Sequence, residues 1–177
     1  MAMRLVTLLG VLAISGCATT TSRLGLPPLE TVPHVEVQRY LGTWYELASI
    51  PQSFQRGCTA TTATYSLRPD GELDVLNKCR MDSVDGVEKT ATGRARVVDA
   101  ATNAKLEVSF FRPFWGDYWI IDLDPEYQWA SVSDPTGNSY FLLTRTKTID
   151  PALKAEIIAR AEAKGVKIGN ITDTPQF

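Results

Sequence analysis

The feature that most constrains this chain is a period-two alternation of apolar and polar side chains that recurs through its middle. In TATTATYSLR (59–68), Ala63, Tyr65 and Leu67 point one way while Thr62, Thr64, Ser66 and Arg68 point the other. ELDVLNKC (72–79) sets Leu73, Val75, Asn77 and Cys79 on one face. KTATGRARV (89–97) does the same with Ala91, Gly93 and Ala95, and KLEVSFF (105–111) with Leu106, Val108 and Phe110. Successive side chains of a strand point to opposite faces, so each run predicts a strand with one buried and one solvated side. DYWIIDLD, YQWASVS and SYFLLTR read as three further strands with bulk on both sides, and YLGTWYELASIP (40–51) as a first strand ended by Pro51. Pro69-Asp70-Gly71 and the stretch Asp134 to Asn138 carry turn chemistry.

Eight short antiparallel strands in chain order predict an all-β fold, an eight-stranded up-and-down β-barrel forming a calyx wide enough for one small ligand. Ala63, Ala91, Gly93 and Ala95 are small on inward parity, and a barrel filled by its own side chains wants larger ones there. A hollow is therefore expected. After the strands, IDPALKAEIIARAEAKG predicts one C-terminal α-helix over about 150–164, packed outside the barrel. Asp150 caps it, Pro151 suits its first turn, Gly165 suits its exit, and Leu153, Ile157, Ile158 and Ala161 form its apolar stripe. VKIGNI (166–171) is expected to return as a short final strand.

The N-terminus reads differently. Arg4 followed by LVTLLGVLAIS is a short positive region and an apolar run too short to span a bilayer, as in a signal peptide. The run ends in Ile14-Ser15-Gly16-Cys17, which resembles the lipobox of bacterial lipoproteins. That resemblance implies a signal peptide over 1–16 and lipidation of Cys17 by acyl chains such as palmitate. It also implies, with Ala18 rather than Asp after the cysteine, residence at the cell outer membrane. Residues 17–34 then form a polar, proline-rich tether, and 35–177 is one domain of about 140 residues, expected in the periplasm. With Cys17 lipidated, Cys58 and Cys79 are expected as a disulfide in an oxidising compartment; two free buried thiols are the alternative.

Lys and Arg total 18 against 20 Asp and Glu, with no basic cluster, so no nucleic-acid partner is expected. His34 is the only histidine and precedes the barrel, which leaves no Ser–His or Cys–His dyad and no His-based metal ligation inside the domain. No phosphate-binding glycine motif is present. No catalytic residue, metal or cofactor is expected, and the sequence favours binding over chemistry.

A Gly-x-Trp strand, an eight-strand meander and one late helix resemble the lipocalins, and in particular their bacterial outer-membrane lipoprotein type. RYLGTWYELASIP, TATYSLRPDGELDVLNKC, LEVSFFRPFWGDYWIIDLD and FLLTRT carry the resemblance, from Tyr40 to about Ile168. It implies that Trp44 lies at the closed base of the barrel with Arg145 of the last strand over its ring, Gly42 leaving room for the approach. It also implies that Tyr65, Asn77 and Phe141 touch ligand. Strand parity adds Val75, Val108 and Phe110 to the expected binding residues, and small size adds Ala91. The parity of Glu46 and the sides served by Tyr118, Trp119 and Trp129 stay open. Phe111, Pro113, Phe114 and Trp115 are expected near the mouth, facing a lipid or folding over the opening.

The expected function is that of an outer-membrane lipocalin binding, storing or transporting a hydrophobic molecule, by resemblance a fatty acid or lysophospholipid, for envelope maintenance. Its partners are that small molecule and the membrane reached through the N-terminal lipid, with a homodimer left open. A periplasmic lipocalin-like enzyme acting on lipids and a structural lipoprotein with a filled barrel are the alternatives.

Overall fold

The computed structural model describes residue 27 and residues 29–177. The leader, Cys17 and most of the tether lie outside the described residues. The alternating runs become β2 (Cys58–Leu67), β3 (Leu73–Met81), β4 (Glu88–Val97) and β5 (Lys105–Phe111). The bulkier runs become β6 (Phe114–Leu123), β7 (Trp129–Ser133) and β8 (Tyr140–Thr144). Each pairs antiparallel with its neighbour in sequence, as short turns require. The barrel closes on β1 (Gly42–Ser49), whose first half pairs with β2, from Gly42↔Tyr65 to Tyr45↔Thr62. Its second half pairs with β8, from Tyr45↔Thr144 to Ser49↔Phe141, across a bulge between Glu46 and Ala48.

The opening stretch is split. Tyr40 belongs to a short helix, α1 (Val37–Tyr40), and not to the first strand. Gly42, at φ +91°, turns the chain from that helix into β1. A Cβ on Gly42 would sit 3.5 Å from the nearest Arg145 nitrogen, an ordinary contact. The glycine is thus needed for its positive φ and not for space, which corrects the sequence reading.

The helix forms close to its expected bounds, as α2 (Pro151–Ala163), with Asp150 accepting from the backbone N–H groups of Ala152 and Leu153 at 2.9 and 3.0 Å. The final strand is displaced. Residues Ile168–Asn170 form a single 3-10 turn, because the Lys167 N–H is drawn to the Gly137 carbonyl (2.9 Å) in the β7–β8 turn. Strand β9 follows at Thr172–Asp173, paired with Ala48 and Ser49 of β1. It lies where β1 has parted from β2, and the segment from 172 to 176 stitches that seam. Thr174 N–H donates to Leu47 (3.1 Å) and Ala60 N–H donates to Pro175 (2.8 Å). The Gln176 side-chain amide donates to the carbonyls of both Glu46 (2.8 Å) and Thr61 (3.0 Å).

Two apolar clusters lie on opposite sides of the sheet. The inner one fills the lower barrel with Trp44, Tyr40, Leu73, Ala95, Ile120 and Val132 among others. The outer one joins Ile157 and Ala161 of α2 to Leu47, Ile121, Trp129 and Leu142 on the backs of β1, β6, β7 and β8. Leu29 is buried in this outer cluster and the Val32 N–H donates to Ile120 (3.0 Å). The fold therefore begins before residue 35, inside the segment expected to be free tether.

Candidate functional site: the barrel cavity

The floor explains the Gly-x-Trp tryptophan. Trp44 is fully buried, its indole N–H donates to the Tyr40 carbonyl (2.8 Å), and the Arg145 guanidinium lies 3.7 Å from its ring centroid. Arg145 also donates to the carbonyls of Thr43 (2.9 Å), Arg39 (2.8 Å) and Leu41 (2.9 Å). One side chain thus ties α1, the start of β1 and the end of β8 into a closed base. Burial pushes the Arg145 guanidinium below its ordinary pKa.

Above that base sits a cluster of three tyrosine hydroxyls. Tyr65 donates to Tyr118 at 3.0 Å, and Tyr118 shares a hydrogen bond with Tyr40 at 2.8 Å. Burial raises all three, Tyr65 to about 12, so each stays a neutral phenol at physiological pH. Tyr65 and Tyr118 mark the lower limit of an open cavity of about 400 Å³.

Its walls answer the parity reading. Tyr65, Val75, Asn77, Val108, Phe110 and Phe141 all line the cavity. Ala63 lines it as well, but the other small residues do not make the hollow. Ala91 is exposed and absent from the lining. β4 pairs with β5 only from Arg94 to Val97, so its first half stands at the rim without a partner on that side. Gly93 is covered by Phe110, since a Cβ there would lie 2.8 Å from that ring, and Ala95 is packed in the inner core. Tyr118 serves the inside, while Trp119 and Trp129 serve the outer cluster. Near the mouth, Phe111 and Phe114 stack at 6.3 Å with most of their surface exposed, whereas Trp115 is covered by Arg96 at 4.2 Å.

Glu46 was not assigned by sequence. The structure turns it inward at the bulge, 5 % exposed, where it accepts from Ser49 (2.9 Å), Gln55 (2.7 Å) and Thr174 (2.6 Å). A lone acid within TWYELAS was the available signal. Burial lifts its carboxyl above the ordinary glutamate value, against the pull of those hydrogen bonds. The folded chain thus holds this proton more tightly than the unfolded chain. The site favours folding below the unfolded value and loses that contribution as pH rises through the raised one. The stability of wild type relative to Glu46→Gln is therefore expected to fall as pH rises from the ordinary glutamate range through the raised one. A Gln fits because Gln55 Oε1 has no partner and its amide can turn to accept. Parallel thermal melts across that range check this; a difference that does not change with pH would refute it.

Cys58 and Cys79 are joined in a disulfide between the upper ends of β2 and β3. Cys79 therefore offers no free thiol to the cavity. Among the described residues no group of three His, Cys, Asp or Glu is placed to hold a metal ion, and no helix is long and apolar enough to cross a membrane.

A closed eight-stranded barrel, plugged at one end, open at the other and backed by one helix, is the architecture of calyx-type proteins that bind small hydrophobic ligands. Residues 35–176 match the family model described as a lipocalin-like domain, and the chain belongs to that family. It is 40% identical over 155 residues to the outer membrane lipoprotein Blc of Escherichia coli (strain K12), covering 88% of this chain and 85% of the relative. It is 38% identical over 154 residues to the Blc of Vibrio cholerae, covering 86% of each. Among solved structures, insecticyanin from the tobacco hornworm Manduca sexta has the same fold, with TM-score 0.66 and 14% identity over 86% of each chain.

Proposed function

We propose that this protein is an outer-membrane-anchored lipocalin that holds one single-chain lipid, a fatty acid or lysophospholipid, and stores or carries it for envelope maintenance. The observation that carries this reading is the open cavity of about 400 Å³ with Val75, Val108, Phe110, Phe141 and Leu143 in its wall. Each buried methylene contributes about 0.8 kcal/mol, so roughly ten supply the ~8 kcal/mol of micromolar binding, before the costs of association. The lipobox-like Ile14-Ser15-Gly16-Cys17 and the likeness to outer membrane lipoproteins support anchoring at Cys17. The open volume weighs against a filled, purely structural barrel, and the paired state of Cys79 against thiol chemistry in the calyx.

Mass spectrometry of lipids extracted with the native protein tests the ligand class; the absence of any single-chain lipid would count against it. Ala63 faces Trp44 on β1 and Asn77 on β3, so Ala63→Phe drives a ring into the hollow. The variant is expected to bind a fluorescent acyl probe at least about tenfold more weakly, some 1.4 kcal/mol, while remaining folded. Unchanged affinity would place the ligand elsewhere.

A further inference from the structure

The charged residues of the cavity wall that can meet a head group are of one sign. Glu46 and Asp134 are acidic, and among the described residues no Lys, Arg or His lines the cavity. Burial opposes ionisation of Asp134, yet hydrogen bonds from Thr136 and Ser139 outweigh it and hold the carboxyl below its ordinary range. The Ser139 N–H and hydroxyl lie 2.6 and 2.7 Å from Asp134 Oδ2, which keeps this charge fixed at the mouth.

A second set of atoms points the same way independently. Thr61 is 8 % exposed and lines the cavity, and its hydroxyl oxygen has no hydrogen-bond partner. Gln55 Oε1 and Asn77 Oδ1, also on the wall, are likewise unpartnered. The orientation of Gln55 follows from its amide N–H donating to Glu46 at 2.7 Å, which leaves the oxygen as the free end. Buried oxygens without partners carry a desolvation cost that a donor on the ligand removes. A carboxylate head has no donor to give and would face like charge. An ammonium head brings both N–H donors and the opposite charge. Lys89, on inward parity at the rim of β4 opposite Cys79, is the cation that would serve an anionic head; its ammonium instead donates to the Phe54 carbonyl (3.2 Å).

We propose that the cavity selects single-chain amphiphiles whose head is an ammonium with N–H donors, and discriminates against carboxylate heads. This rests on the proposed reading of the barrel as a lipid-binding calyx and, of the two ligand classes named there, favours a lysophospholipid with an ammonium in its head over a fatty acid. Glu46 and Asp134 supply the field, and Thr61, Gln55 and Asn77 supply acceptors for the ammonium hydrogens. The chain lies below, against Val75, Val108 and Phe141.

The test uses dodecylamine, dodecanol and dodecanoate, one chain with three heads, each displacing a neutral naphthylamine probe from the delipidated protein near neutral pH. The amine is expected to bind about tenfold more tightly than the acid, with the alcohol between them. Glu46→Gln and Asp134→Asn are each expected to reduce the ratio of amine to alcohol affinity about threefold or more. Dodecanoate binding as tightly as the amine, or losing its affinity in Lys89→Met, would overturn the charge selectivity while leaving the calyx reading intact. An amine-to-alcohol ratio unchanged in both acid variants would also overturn it, by showing that the amine binds outside the cavity. No displacement by any of the three would overturn the calyx reading itself, and this inference with it.

Discussion

Arg145→Ala is expected to lower the unfolding free energy by about 2–4 kcal/mol, measured by chemical denaturation. The guanidinium covers the Trp44 ring at 3.7 Å and is shared among the carbonyls of Arg39, Leu41 and Thr43, at 2.8 to 2.9 Å. A cation over an indole is worth about 0.5–2 kcal/mol, and hydrogen bonds to a charged group about 1.5–3 each where water cannot replace them. Part of Arg145 faces solvent, so water recovers some of that and the range stays below the sum. Arg145→Lys is expected to recover only a fraction, since one ammonium cannot both lie flat on the ring and span three carbonyls. An unchanged denaturation midpoint in Arg145→Ala would show that the base does not depend on this side chain.

Replacing both cysteines, as Cys58→Ser with Cys79→Ser, is expected to cost roughly 3 kcal/mol. The bond closes a loop across 21 positions, and the chain-entropy treatment of a loop of that size gives this magnitude. The place matters as much as the loop length. β2 and β3 meet tightly at their Pro69-Asp70-Gly71 turn but fall out of register between Thr59 and Thr62, so the covalent link holds the end that hydrogen bonding holds least. Reductant should shift wild type to the midpoint of the double variant and leave the variant where it is. A wild type indifferent to reductant would refute the assigned contribution.

Much of the barrel was legible because its information is local. Alternation with period two is a property of adjacent residues, and it put Tyr65, Val75, Asn77, Val108, Phe110 and Phe141 on the face that proves to be the cavity wall. Asp150-Pro151 marked the start of α2 by local capping chemistry. Alternation failed where the face of a strand is decided by its neighbours. Ala91 shares inward parity with Asn77, yet β5 never reaches that part of β4, so inward there means open water. Glu46 could not be placed because the bulge between it and Ala48 breaks the very period the reading relies on. The tyrosine cluster joins residues 53 and 78 positions apart, and nothing local announces such a meeting. Asp134 was read as a turn residue, which it is; its second role at the mouth appears only when β6 and the β1–β2 loop stand opposite.

The barrel wall has unequal thickness. β7 is buried along its whole length and β1 from Glu46 to Ser49, since one face meets the inner core and the other meets α2 and its apolar neighbours. β4 is exposed over its first five residues and half unpaired on its β5 side. Stiffness follows packing, so the calyx is a rigid half-cylinder joined to a compliant one. If the barrel takes up the proposed lipid, a guest wider than the resting mouth is expected to enter on the β4 side, while the β1–β7 side holds Glu46 and the plugged base in place. Entry and retention would then fall to two halves of one sheet.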